Sequence, residues 1–170
     1  MFYYTFNTQM GWITAISSNS GIMKISLPEK SSKISISQFK NEIDLYEFDS
    51  SKFKEITEKL QSYFEGYLID FADIAIDFSK MSNFQKITLR QCRTIKIGET
   101  KSYKWLAEKI NQPKAYRAIG NVLSKNPIPI IIPCHRIIYS NGNYGGYMGK
   151  IKKVSFKKKL LEIESKYDKS

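Results

Sequence analysis

Cys134, His135 and Arg136 are consecutive, and they place a nucleophile, a base and a permanent cation within three residues. The reactive form of cysteine is the thiolate, and an ordinary cysteine is mostly protonated at neutral pH, so a working sulfur needs a base or positive charge beside it. His135 is the protein's one histidine. Neighbours on an extended chain point to opposite sides, so the imidazole is expected to reach the sulfur through an intervening water. An imidazole used in this way needs an orienting acceptor, and two acids of the last helical stretch, Glu162 and Glu164, compete for that role. A buried cysteine beside a satisfied core histidine is the plain alternative reading of the same dipeptide.

The segment that delivers this pair is NPIPIIIPCHRII, residues 126–138. Three prolines in seven residues exclude a helix and predict an extended, buried backbone that fixes Cys134 in place. The glycine-rich loop NGNYGGYMGK follows, and its positions without a Cβ allow backbone to approach a flat ligand. Cys92 reads as a small core hydrophobe at the end of an apolar helical stripe. Two cysteines and one histidine are too few for a closed four-ligand zinc site, so neither metal nor cofactor is expected.

Charge separates the chain into halves. Residues 1–80 carry 8 Lys and no Arg against 11 acids, a net of −3, whereas residues 81–170 carry 19 basic residues against 5 acids, a net of +14. A compact region of that sign concentrates polyanions, and nucleic acid is the first partner to consider. The run Lys157 to Lys159, taken alone, reads as a solvated surface. Helices are predicted over about 83–94, 102–110 and 113–124, with a basic one over about 152–166 carrying Leu160 and Leu161 inward. The middle pair is separated by only Asn111 and Gln112, with Pro113 suited to a first helical position, which fits a helix-turn-helix.

The first half must serve as scaffold, because nothing in it looks catalytic. FYYTF, WITAIS and GIMKISL alternate as a β meander; Phe53, Ile56, Leu60 and Phe64 form one face of a helix ending near Gly66. Ile74 to Phe78 is expected to return to the sheet. The composition shift in SKMSNF, residues 79–84, marks a domain boundary, giving domains 1–80 and 81–170. At 170 residues with 42% hydrophobic and 25% charged, the chain is globular in balance, and its longest apolar run, Ile128 to Pro133, is far too short to span a bilayer. The start, MFYYTFNTQM, lacks a secretory pattern, so a cytosolic protein is expected, or a nuclear one in a eukaryotic host.

IPIIIPCHRII, with Asn126-Pro127 before it and the Gly-Gly-Tyr loop behind it, resembles the active-site signature of the O6-alkylguanine-DNA alkyltransferases, the methylated-DNA–protein-cysteine methyltransferases. NFQ near residue 84, GETKSYKWLA from Gly98, KAYRAIGNVLSKNP from Lys114 and LLEIE from Leu160 extend the likeness over nearly the whole second half. The resemblance implies an RNase H-like α/β N-terminal domain of meander and helices, then a mostly α-helical, winged-helix-like DNA-binding domain. It implies direct reversal of damage, with an alkyl group passing once and irreversibly from O6 of guanine to Cys134 after the base is flipped out of the duplex, and leaves activity on O4 of thymine open.

By the same resemblance His135 deprotonates Cys134 through water, Glu164 holds the imidazole, and Tyr103 assists base rotation and departure of guanine. Arg117 fills the vacated stack, and Asn126 is the hinge between recognition helix and cysteine segment. Ala115, Ala118 and Gly120 give that helix the small face that minor-groove docking needs, and Ser102 and Arg136 join the DNA contacts. Tyr147, Met148, Ile137 and Gly146 are expected to line the substrate pocket. The implied partner is double-stranded DNA containing O6-alkylguanine, met by a monomer whose cooperativity on DNA is left open, with no membrane. The chain departs from the family pattern at Met148 and Asn121 and in a longer basic stretch between Tyr147 and Glu164. Three other readings stand beside this one. A cysteine hydrolase would use the same pair and turn over, a damage-recognition protein would bind without repairing, and a winged-helix regulator would prefer one DNA sequence.

Overall fold

In the computed structural model, which describes residues 1–149 and 153–166, alternating residues at the N-terminus build the meander their pattern predicts. Strands β1 (Phe2–Thr8), β2 (Gly11–Ser18) and β3 (Gly21–Ile25) pair antiparallel, in a register that runs from Phe2 opposite Ser17 to Thr8 opposite Gly11. A short strand β4 (Glu47–Phe48) adds parallel to β1, giving the order β3-β2-β1-β4. Ile74 to Phe78 joins the sheet only through one bridge, Ile76 to Ile22, rather than as a strand. Gly21, at φ 142°, permits that approach, because a Cβ there would stand 2.5 Å from the Ala75 carbonyl oxygen.

Helix α1 (Ser32–Ser37) lies in a stretch for which the sequence pattern predicted no element. Its Ser35 hydroxyl is buried and bonds to Thr14 and Ser26, a polar cluster that ties the helix to the meander. Helix α2 (Lys54–Glu65) buries Ile56, Leu60, Tyr63 and Phe64 and stops at Gly66, which takes the left-handed conformation at φ 96°. These elements form one compact unit, residues 1–80, which also includes Pro127–Pro129; the Pro127 carbonyl accepts a bond from the Ile25 amide.

The second unit holds residues 81–126 and those from Ile130 onward. Helix α3 (Asn83–Arg93) opens on a capping box, in which Ser82 and Gln85 satisfy each other's backbone amides, and it buries Leu89 and Cys92. Helix α4 (Tyr103–Lys109) is capped by Ser102, and helix α5 (Tyr116–Ser124) packs against it. Their connection is longer than the two residues expected. Asn111 turns left-handed at φ 56°, the Gln112 amide bonds back to Ala107, and Ala115 bonds to Gln112, so Pro113 sits in a second turn and α5 starts three residues later. Strands β5 (Lys101–Ser102) and β6 (Ile137–Ile138) pair in parallel, and helix α6 (Val154–Ser165) closes the unit. The expected beginning of α6 near Lys152 lies outside the described residues. Among those described, no helix is long and apolar enough to cross a membrane.

Candidate active site

The proline-rich segment does not run extended. Ile130 is left-handed at φ 75°, an uncommon state for a β-branched residue, and Pro133 at φ −82°, ψ 61° makes an inverse γ-turn in which the Cys134 amide bonds to the Ile132 carbonyl at 2.8 Å. Cys134–Arg136 then forms one turn of 3-10 helix. Proline's fixed φ suits both an extended strand and a γ-turn, so the prolines excluded a helix without choosing between the other two. On a 3-10 turn successive side chains diverge by about 120° rather than alternating. Cys134, His135 and Arg136 thus point in three directions, and all three are buried.

His135 directs Nε2 at Oε1 of Glu164, 2.8 Å away, with the imidazole fully buried. Glu162 is exposed, so of the two competing acids Glu164 meets the ring. Facing a carboxylate, Nε2 must carry the proton, which leaves Nδ1 as an acceptor; it is buried and has no partner among the described residues. Burial holds the imidazole below its ordinary pKa of 6.5 despite the carboxylate, so the ring is neutral and can take a proton. Burial would raise the Glu164 carboxyl, but bonds from His135 and Arg136 together with their charges hold it at about 2.

Arg136, expected to contact DNA, is instead part of this cluster. Its Nε and Nη2 bond to the two oxygens of Glu164 at 2.9 Å each, and Nη1 bonds to the Ile95 carbonyl, so the guanidinium is spent inside the unit. Asn126 is also withdrawn from DNA. It is 1% exposed, and its Nδ2 donates to the Ile132 carbonyl at 2.9 Å and to Cys134 Sγ at 3.2 Å, which ties the end of α5 to the nucleophile. Ile137, expected in the pocket, is fully buried in β6 opposite Lys101 and does not line the cavity.

The cavity, about 600 Å³, lies within the second unit and is lined by Tyr103, Arg117, Gly120, Cys134, Gly146, Tyr147 and Met148 among others. Each element contributes by its position. Tyr103 is the first residue of α4, directly after the β5 pairing with the Cys134 segment; Arg117 and Gly120 share one face of α5. A Cβ at Gly120 would meet nothing within 4 Å. Arg117 and Ala118 are exposed, and Ala115 is half-buried at the head of the helix. The Ser102 hydroxyl oxygen accepts from the Trp105 amide as the cap of α4.

One wall residue, Tyr139, had no signal in the sequence pattern. Tyr139 lines the cavity and stacks at a tilt on Tyr103, ring centres 5.5 Å apart, and Gly145 at φ 66° lies so near that a Cβ would stand 2.8 Å from the Tyr139 ring. Lys157, in the run read as a solvated surface, is 1% exposed. The Tyr103 phenol is pushed up to about 12, by burial first and then by the negative charge of nearby tyrosinate and thiolate, so it stays a donor. Burial raises the Cys134 thiol above its ordinary value; the Asn126 bond, the charge of Lys157 and the Tyr147 hydroxyl pull the other way. The resting sulfur is therefore a thiol at neutral pH, with a neutral acceptor on the next residue and a donor at the far wall.

Comparison with known proteins places this geometry. Residues 1–78 match the model of the 6-O-methylguanine DNA methyltransferase ribonuclease-like domain, and residues 83–166 match that of the same family's DNA binding domain. A methylated-DNA–protein-cysteine methyltransferase of Methanosarcina acetivorans is 34% identical over 164 residues, covering 96% of this chain and 98% of its own. One from Metallosphaera sedula is 41% identical over 116 residues, 68% of this chain and 70% of its own. Mycobacterium tuberculosis OGT, solved in complex with DNA, superposes with a TM-score of 0.80 at 31% identity, over 98% of this chain and 94% of that one. The fold is thus a ribonuclease-like α/β domain followed by a helical DNA-binding domain, as the resemblance implied. With both domain models matched in order and a relative aligned along nearly its full length, the chain belongs to the methylated-DNA–protein-cysteine methyltransferase family.

Proposed function

We propose that this protein repairs DNA by direct reversal, moving an alkyl group from O6 of guanine to Cys134 once per chain. The observation that carries the reading is the convergence on one sulfur of the Asn126 donor and the open wall of the cavity, beside a neutral His135 held by Glu164. His135 Nδ1 takes the thiol proton through a bridging water. The thiolate attacks the alkyl carbon, an S–C bond forms as the C–O6 bond breaks, and the electron pair leaves on guanine. Tyr103 donates to the departing ring, which leaves neutral once it has gained a proton. The product thioether has no route back, so the protein is consumed.

A carbon attached to a stacked base cannot reach a sulfur that is 5% exposed inside a cavity, so the base must leave the duplex at a cost of a few kcal/mol. Arg117, exposed at the rim on α5, is suited to fill the gap, and the small face of Ala115, Ala118 and Gly120 suits close approach to a groove. The net of +14 over residues 81–170 supplies attraction to phosphates.

Intact-mass measurement after mixing with a duplex containing O6-methylguanine tests the reading. One methyl per chain, mapped to Cys134, is expected, with the lesion lost in equal number. More than one lesion repaired per chain would indicate a turning-over enzyme, and lesion loss with Cys134 unmodified would end the proposal.

A further inference from the structure

Lys157 is a buried cation without a carboxylate. Its side chain is 1% exposed, its Nζ donates to the Ile137 carbonyl at 2.6 Å and to the Tyr144 carbonyl, and no acid lies within salt-bridge distance among the described residues. The nearby acid, Glu164, is engaged by His135 and Arg136. Removing an ammonium from water costs several kcal/mol, and two neutral carbonyls offset only part of that. The groups that feel this ammonium are Cys134 on the 3-10 turn, Cys92 on α3 and His135.

We infer that Lys157 is a positioning residue for alkyl transfer, whose buried ammonium is the counter-charge of the Cys134 thiolate and whose two hydrogen bonds pin the cavity-wall loop to β6. The two carbonyls bracket residues 138–143, so a single side chain fixes both ends of the loop that carries Tyr139 against Tyr103 and leads into Gly146, Tyr147 and Met148. When Cys134 loses its proton to His135, the anion forms beside a cation that was already desolvated, so no solvent has to rearrange. Burial draws the Lys157 ammonium down to about 8 while thiolate at Cys134 and Cys92 raises it, so cation and anion support each other. The arrangement rests on Cys134 being the nucleophile of the proposed transfer.

The test is the pH–rate profile of Cys134 labelling by iodoacetamide, which needs neither DNA nor repair and so is readable even if alkyl transfer from guanine fails. Lys157→Gln keeps a donor for the loop and removes the charge; Lys157→Arg keeps the charge. The Gln variant is expected to move the profile to higher pH and to slow labelling at neutral pH about tenfold at an unchanged melting temperature, with Arg restoring the profile. An unmoved profile in a folded Gln variant overturns the inference. Should both variants fail to fold, the wild-type Lys157 titration followed by NMR decides: its midpoint must fall in Cys134→Ala, where no thiolate forms, and an unchanged midpoint overturns the inference equally.

Discussion

His135 and Glu164 lie 29 residues apart in sequence, yet Nε2 and Oε1 meet at 2.8 Å with neither side chain in contact with water. The carboxylate is shared: Arg136 takes both of its oxygens from the other side. Three consecutive residues of the 3-10 turn are thereby divided between chemistry and support, with Cys134 toward the cavity and Arg136 anchoring the acid that aims His135. Replacing Glu164 by Gln should be costly beyond the lost aim, because it leaves the Arg136 charge buried without compensation. A stability loss of about 3–5 kcal/mol is expected in denaturant titration. A variant as stable as the parent would mean that the guanidinium finds another partner or water.

The same cluster sets the acid limit of the fold. His135 has its pKa lowered from 6.5, so the unfolded chain binds its proton more readily, and stability present above pH 6.5 is lost as pH falls below it. Glu164, lowered from 4.5 to about 2, acts in the same direction lower down: its contribution is present above pH 4.5 and lost as pH falls toward 2. The melting temperature should therefore begin to drop below pH 6.5 and drop more steeply below 4.5. His135→Gln, which cannot titrate, should flatten the upper part of the curve; an identical curve in that variant would remove His135 from the account.

Asn126 gives up its amide protons to the Ile132 carbonyl and to Cys134 Sγ, and it is enclosed on all sides. Asn126→Ala should cost about 0.5–1.5 kcal/mol, because the Ile132 carbonyl loses one of its two donors and keeps the Cys134 amide. It should also raise the Cys134 pKa, since the lost bond favours the thiolate. The check is iodoacetamide labelling against pH, and Asn126→Asp, which presents an acceptor to the sulfur, should be worse than Ala. Equal profiles for all three would show that the contact does not tune the sulfur.

How much of this was legible in the sequence follows from what each signal measures. Periodicity found the meander and α2, because residues such as Ile13, Ala15, Ile56 and Leu60 alternate or repeat with the face they bury. Nothing announced α1, whose SKISIS alternates like a strand yet folds as a helix around the buried Ser35. The Pro-rich segment showed where the nucleophile is held but not how, since φ near −65° is common to strand and γ-turn. Arg136 was read as a DNA contact and Lys157 as solvated surface, because charge normally faces outward. For Lys157 a signal existed: it lies three residues before Leu160 and seven before Glu164, on the buried stripe of α6. Pairing of Arg136 with Glu164 is a tertiary fact that no local pattern carries.

Gly120 separates packing from pocket. Its missing side chain faces open cavity, so Gly120→Ala should stabilise α5 by about 0.5–1 kcal/mol through helix propensity alone. Gly120→Leu should fold as well yet slow methyl transfer, because the new side chain occupies space a base would need. Thermal melts beside transfer rates on one oligonucleotide separate the two effects, and undiminished transfer by the Leu variant would place the substrate elsewhere.

Arg117 allows extrusion to be separated from chemistry. It is exposed at the cavity rim, and no hydrogen bond or ion pair to it is seen among the described residues, so its truncation should leave stability within about 0.5 kcal/mol. If it stands in for an extruded base, Arg117→Ala should slow repair of O6-methylguanine in duplex DNA strongly while leaving transfer from the free modified base near the parent rate, because a free base has no stack to leave. A mere phosphate contact predicts something else: a loss of duplex affinity that added salt makes vanish, with a shallower dependence of log affinity on log salt by roughly one. Measuring the single-turnover rate at saturating protein removes affinity from the comparison. A normal saturated rate on duplex would reduce Arg117 to a phosphate ligand, whereas an equal slowing on duplex and free base would make it part of the pocket.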